Sequence, residues 1–213
     1  NSPENNKFKK FVKMAVKKYS YLSRNSKYFF FNSSFKKNDQ LKLELALKQL
    51  PTFYDFSLTN EIEIIEVDRS RFNLNFRASN KFESFLLQMI PQQIPTYYLE
   101  GFSSLKKECK NRYLPTCPEV IVTSSSIISN DIFKFWVAEK IEKGSKLIVS
   151  QHGGHYGVGK WNASERHEIS VADSYISWGW KEKGVFPIGS ANLSGSKKKK
   201  LFKRNNSALL ALG

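Results

Sequence analysis

The chain has 213 residues, of which 40% are hydrophobic, 14% aromatic and 25% charged, with a formal net charge of +15. That size and apolar content suit one full α/β domain, or one domain with part of a neighbour, and exclude a disordered chain. No apolar run reaches the roughly 20 residues needed to span a bilayer, so an integral membrane protein is excluded.

The charge is unevenly placed. Residues 1–50 carry twelve Lys/Arg against three acids, residues 191–213 six against none, and residues 51–190 are neutral. A nucleic-acid-binding domain carries its basic stripe on the folded body, so a neutral body argues against nucleic acid. The basic ends fit an anionic membrane surface, a protein partner, or plain solubility. Cys109 and Cys117 form neither a disulfide framework nor a usual zinc pattern, and both read as reduced and cytoplasmic.

From Lys7 to Leu22, the residues Phe8, Phe11, Val12, Ala15, Val16, Tyr19 and Leu22 fall at helical spacing, with lysines between them. This predicts a basic amphipathic helix, which either packs on the domain or lies on an anionic membrane. The aromatic run Tyr28–Phe31 reads as loop. A helix is expected over Asp39–Leu50, stopped by Pro51. Glu61–Val67 alternates Glu with Ile and reads as a half-exposed strand. Lys81–Ile90 reads as a helix ended by Pro91, and Tyr98–Lys110 as another.

The clearest part follows. Glu119–Thr123 predicts a buried strand, and Ser124–Ser126 a polar turn. Asn130 or Asp131 then caps a helix whose apolar face is Ile132, Phe133, Trp136, Val137 and Ile141. Gly144 stops that helix, and Lys146–Ser150 is a second buried strand. Strand, helix and strand in about thirty residues make a βαβ unit with parallel strands. A glycine-rich loop, Gln151–Gly159, leads to a helix over Glu165–Ala172, with Asn162 and Glu165 spaced like a capping box. Tyr175–Trp178 is a third strand, completing the pattern of a doubly wound sheet. Gly184–Gly195 reads as a connector, Lys197–Lys200 as solvated, and Ser207–Leu212 as the start of a new apolar element.

All three histidines, His152, His155 and His167, lie within sixteen residues, two of them in the glycine loop that directly follows a strand. Open α/β sheets bind ligands at that end. A histidine there can act as general base on an acceptor hydroxyl or donate to a phosphate. The plainer reading is a glycine turn whose histidines bond nearby carbonyls; His152 is the strongest functional candidate. Gly154–Lys160 matches half of a phosphate-binding P-loop, but Trp161 stands where Ser or Thr must hold magnesium. His152-x2-His155 with His167, Glu165, Glu168 and Asp173 lacks rigid ligand spacing, so no metal is expected. Glu168 and Asp173 instead read as groups that orient or neutralise a neighbour. Arg69, Arg71 and Arg77 can hold a phosphate or lie on a helix surface. A G-x-S-x-G elbow is absent.

Three phrases resemble a family of transferases encoded in bacterial gene clusters for surface polysaccharide, lipopolysaccharide O-antigen and capsule. They are KFESFLLQMIPQQIPTYYLEGF (81–102), NDIFKFWVAEKIEKGSKLIVSQHGGHYG (130–157) and ERHEISVADSYISWGW (165–180). More distantly, a strand followed by Gln-His-Gly is similar to the His-Gly segment of the CDP-glycerol glycerophosphotransferases, which have the GT-B arrangement of two Rossmann-like domains. The resemblance implies that His152 is the base that deprotonates the acceptor. Lys160 lies too far along to match those enzymes' phosphate-contacting lysine. It also implies that Val185–Gly189 is the hinge to a second, nucleotide-binding domain.

The sequence thus predicts an α/β chain with a Rossmann-like parallel sheet, resembling the N-terminal, acceptor-side half of a GT-B fold. Residues 1–50 form a basic, mostly helical segment, residues 51–190 the Rossmann-like domain, and residues 191–213 a basic linker with the start of a truncated second domain. The expected function is glycosyl or polyol-phosphate transfer from a nucleotide-activated donor to a glycan or lipid-linked acceptor, by a cytoplasmic protein that can touch the inner face of the membrane. A fragment of this extent can be inactive alone. His152 is the catalytic candidate. Gln151, Gly153, Gly154, His155, Tyr156, Gly157, His167 and Glu168 are the substrate-binding candidates, with no cofactor beyond the nucleotide donor. The alternative is a non-catalytic Rossmann-like module whose basic arms dock on membrane or assembly partners, and a third reading is a metal-dependent hydrolase.

Overall fold

Runs such as Val120-Ile-Val-Thr123 and Lys146-Leu-Ile-Val-Ser150 offer apolar side chains to both sides of the pleat, which suits strands inside a parallel sheet. A computed structural model pairs them in that way; it describes Tyr19 and residues 21–52, 54, 62–72, 74–110 and 114–193. The first half supplies β1 (Tyr28–Phe30), α1 (Lys37–Ala46), α2 (Lys81–Gln93) and α3 (Phe102–Lys110). The second half supplies β2 (Val120–Thr123), α4 (Ser126–Ser129), α5 (Asp131–Ile141), β3 (Lys146–Ser150), α6 (Ala163–Val171), β4 (Ser174–Ser177) and β5 (Val185–Pro187). All five strands are parallel and lie in the order β1-β2-β3-β4-β5. This is an α/β, Rossmann-like parallel sheet, as the sequence predicts.

Strand order that advances in one direction, combined with right-handed crossovers, puts successive helices on the same face. The core follows that rule. Register partners share a face, which places Phe29, Ile121 and Leu147 beside Val149, Tyr175 and Val185. These residues join Ile132, Phe133, Trp136 and Val137 of α5 and Leu105 and Cys109 of α3 in one buried cluster. Phe29 meets Trp136 edge to face at 4.9 Å between ring centroids. On the other face Phe30 and Val122 are buried, Tyr28, Val120, Ile148 and Ile176 are half-buried, and Phe186 is exposed. The order never reverses among the described strands, so the reversal point of a doubly wound sheet is not among them.

Local chemistry accounts for the element ends. Asn130 caps α5 by accepting from the Phe133 amide at 2.9 Å, and Gly144, at φ +98°, lets the chain turn after it. Asp173 pins α6 to β3: its carboxylate accepts from the Leu147 amide at 2.9 Å and from Lys146 Nζ at 2.8 Å. Those donors hold its carboxyl below the usual aspartate range.

Several expectations need correction. Tyr28–Phe30 is a strand, and it joins the basic N-terminal segment to the sheet. Residues 62–68 form no strand, and Ile64 and Ile65 are exposed. The second helix is α1, which ends at Ala46 rather than Leu50. Helix α2 runs through Pro91 to Gln93, because proline in a last turn removes one amide while Arg69 satisfies the exposed carbonyls. Its Nη1 donates to the carbonyls of Gln92 at 2.9 Å and Ile94 at 2.8 Å, and its remaining nitrogens clasp Glu100. Arg69 is therefore occupied within the protein, and Arg71 faces Asp68 at 3.2 Å. The expected helix from Tyr98 is a 3-10 turn (Thr96–Tyr98) followed by α3. The polar turn after β2 includes the short α4, and Val185–Pro187 is the fifth strand, with its proline at a sheet edge. The amphipathic helix expected at 7–22 falls largely outside the described residues, as does all of 194–213.

Candidate active site

Strand β3 delivers the chain to the carboxyl end of the sheet, where residues 151–162 turn back into α6. Gln151, the first of them, is buried and fully engaged. Its Oε1 accepts from the Trp178 amide at 2.9 Å and from Trp180 Nε1 at 3.0 Å, and its Nε2 donates to the Gly153 carbonyl at 2.7 Å. A buried amide with both ends bonded fixes a backbone; here it ties the loop to the segment after β4.

His152 follows, half-buried, with its Nε2 3.0 Å from Oε1 of Glu168. Glu168 projects from the inner side of α6 and has 0% exposure. Tyr156 donates its hydroxyl to the same oxygen at 2.8 Å and lies 2.9 Å from His152 Nε2. Tyr175, rising from β4, donates to the other oxygen at 3.2 Å. A buried carboxylate holds its charge only when donors surround it, and this one has three. Burial first, and then the neighbouring Glu168 charge and hydrogen bonds, push both tyrosines well above the ordinary tyrosine range. The phenols therefore stay protonated and remain donors. With one phenol and a carboxylate beside Nε2, and that phenol already donating to the carboxylate, the arrangement favours the tautomer with hydrogen on Nε2, which leaves the lone pair on Nδ1.

The loop beyond His152 is shaped by two close approaches. Gly157 sits at φ +76°, and a Cβ there would strike the Trp180 indole. Gly159 would strike the His155 ring. Glu165 accepts from the Gly157 amide, and the His155 carbonyl accepts from the Gly159 amide at 3.1 Å. Among the described residues none accepts from the amides of Gly153, Gly154 or His155. Gly154 has open space around it. Three backbone donors without an acceptor among the described residues thus directly follow His152, at the sheet end where parallel α/β folds hold ligands.

The sequence-predicted residues thus divide. His152, Gly153, Gly154 and His155 stand at the open side. Gln151, Tyr156 and Glu168 lie behind them as supports, and Gly157 makes room for Trp180. His167 is exposed on α6 and bonds none of this group. The half-P-loop does not form one: α6 begins at Ala163, Asn162 caps it by accepting from the Glu165 amide at 3.1 Å, and Glu165 holds the Gly157 amide a phosphate would need. Among the described residues no three of His, Cys, Asp or Glu converge to hold a metal.

A family model describing the LIC12162 family transferases matches residues 1–213, the whole chain. The chain belongs to that family. No curated protein and no solved structure matches it. Among the described residues of this family member, no helix is long and apolar enough to cross a membrane. A transferase needs a donor and an acceptor substrate. The sequence reading missed Tyr175 and Trp180 as parts of the site. A tyrosine inside a buried strand was the available signal, since its hydroxyl must find a partner.

Proposed function

We propose that this chain is the acceptor-side part of a GT-B-like transferase that builds bacterial surface polysaccharide, moving a sugar or polyol phosphate from a nucleotide-activated donor to a glycan or lipid-linked hydroxyl. One observation carries the reading: His152 is held by a fully buried carboxylate on one nitrogen, with the other nitrogen left to face an incoming hydroxyl. In the reaction, Nδ1 takes the acceptor proton as the acceptor oxygen bonds to the donor's anomeric carbon or phosphorus. The bond to the nucleotide phosphate breaks, and its electron pair leaves with the nucleotide. Imidazolium formation is favoured by the Glu168 charge behind the ring. The amides of Gly153, Gly154 and His155 are directed to the oxygen on which negative charge gathers. Nucleotide-activated donors place this work in the cytoplasm, at the inner face of the membrane where lipid-linked acceptors are exposed.

The test is transfer from labelled CDP-glycerol and a panel of nucleotide sugars to lipid-linked glycan acceptors, comparing the chain with His152→Ala. The expected result is a loss of about 10²–10⁴-fold in rate with an unchanged circular dichroism spectrum. Transfer by His152→Ala at the parent rate would overturn the reading.

A further inference from the structure

A second polar opening lies at the other end of the strands. Where the chain enters β1 and β2, a cavity of about 390 Å³ is lined by Tyr21, Arg24, Asn25 and Thr116. The Arg24 backbone is pinned there: its carbonyl accepts from the Thr116 amide at 3.1 Å and from Thr116 Oγ1 at 3.5 Å. Its guanidinium is not. Nε is buried without a hydrogen-bond partner, and among the described residues no carboxylate pairs with the group. Nearby acids are engaged elsewhere: Glu44 accepts from Thr52 Oγ1 at 2.6 Å, and Glu119 pairs with Lys27 at 2.6 Å.

Other cations gather on the same side. Lys140, near the end of α5, donates to the Thr116 carbonyl at 2.9 Å. Burial, then the positive charge of Lys143, pulls its ammonium below the usual lysine range against Glu139 and Cys117, and Arg24 makes the smallest contribution, in the same direction as Lys143. Arg24 and Lys140 thus stand beside one cavity, and among the described residues no carboxylate pairs with either. A buried guanidinium donor left unbonded is costly, and five N–H donors in a fixed fork match an oxyanion.

We propose that this cavity is an oxyanion site that takes a phosphate group, with Arg24 as its principal donor and Asn25 and Thr116 at its walls. The strands separate it from His152 by about 15 Å. It therefore holds a group distinct from the one reacting at Nδ1, and the proposal stands independently of the transferase reading. Two sources share this chemistry, a soluble phosphate compound and a phospholipid headgroup.

The experiment uses the whole chain and two probes, inorganic phosphate by isothermal titration and sedimentation with phosphatidylglycerol vesicles against phosphatidylcholine vesicles. Arg24→Leu removes the unbonded donor, and its phosphate affinity is expected to fall at least tenfold while its unfolding temperature without phosphate is held or raised. Asn25→Asp gives Arg24 an internal carboxylate and is expected to abolish phosphate binding without truncating any packed side chain. His152→Ala is expected to bind phosphate like the parent. Arg24-dependent binding of phosphate alone identifies a soluble ligand, and Arg24-dependent binding to phosphatidylglycerol identifies a headgroup; both uphold the site. Binding of neither probe, or binding that Arg24→Leu and Asn25→Asp leave unchanged, overturns it.

Discussion

His152 Nε2 and Glu168 Oε1 stand 3.0 Å apart although one follows a strand and the other faces inward from the next helix. The pair gives the imidazole a fixed orientation and a charge behind it, in a place where Glu168 itself has no route to solvent. In the proposed reaction Glu168 is a positioning residue, which acts on chemistry through the histidine.

Replacing Glu168 by Gln tests that role. An amide offers one acceptor oxygen where the carboxylate offers two, so at least one of the three donors is left facing an NH₂ group. We expect kcat to fall about 10²-fold or more with KM little changed, and stability to drop by about 1–3 kcal/mol. Nitrogen NMR of His152 supplies a readout free of substrate: the parent shows hydrogen on Nε2, and Glu168→Gln mixes the tautomers. An unchanged tautomer and kcat would remove Glu168 from this role.

Tyr175 allows a pH test. Its folded-state pKa and that of Tyr156 are raised above the ordinary value near 10. Below about pH 10 both phenols are protonated in the folded and unfolded chain, and their stabilisation is fully present. Above that pH the unfolded chain releases these protons first, so stability falls as pH rises toward the folded-state values. Tyr175→Phe removes one of the two contributions. Urea midpoints should therefore decline less steeply for the variant between about pH 10 and 12. At pH 7 the same change should cost about 1–3 kcal/mol, because Glu168 Oε2 loses its donor.

Gly157→Ala combines two penalties, a side chain at φ +76° and a Cβ placed inside the Trp180 indole. The indole cannot shift without loosening its hydrogen bond to Gln151. A loss of about 2–4 kcal/mol is expected from left-handed strain plus displaced packing, with a change in tryptophan fluorescence. Gly154→Ala, next to open space, is the control and should cost less than about 1 kcal/mol.

Asn130 carries the cap of the helix that covers the sheet. Asn130→Ala should destabilise the chain by about 1 kcal/mol in urea titration, and Asn130→Ser should restore most of it. An equal loss in both variants would mean that the side chain matters for another reason.

Long apolar elements with clear ends were legible in the amino-acid sequence. Lys146–Ser150 has the bounds expected of it, and α5 starts at its expected cap because Asn130 precedes a broad apolar face. Three-residue strands are too short to show a period, which is why Tyr28–Phe30 reads as loop and Val185–Pro187 as connector. The alternation at Glu61–Val67 misleads because period alone supplies no neighbouring strand. The place of His152 after a strand was legible, as was that of Glu168 on the helix that follows. The amide of Gln151 and the hydroxyl of Tyr156 look like ligand contacts in sequence, since nothing local shows that Trp178, Trp180 and Glu168 come round to meet them.

The sequential strand order has a kinetic consequence. Residues 124–145 and 151–173 close the β2–β3 and β3–β4 pairs, whereas residues 31–119 must close before β1 can join β2. Loop-closure entropy makes that last pairing about 1 kcal/mol harder. The contiguous stretch from β2 to β5 can therefore form first, and β1 docks onto a sheet already built. Native-state hydrogen exchange should show β1 opening before the rest, with Leu147 and Val149 amides exchanging last. The aromatic strand is then the part that frees itself most readily, and with it the wall of the arginine cavity at the opposite end from the histidine.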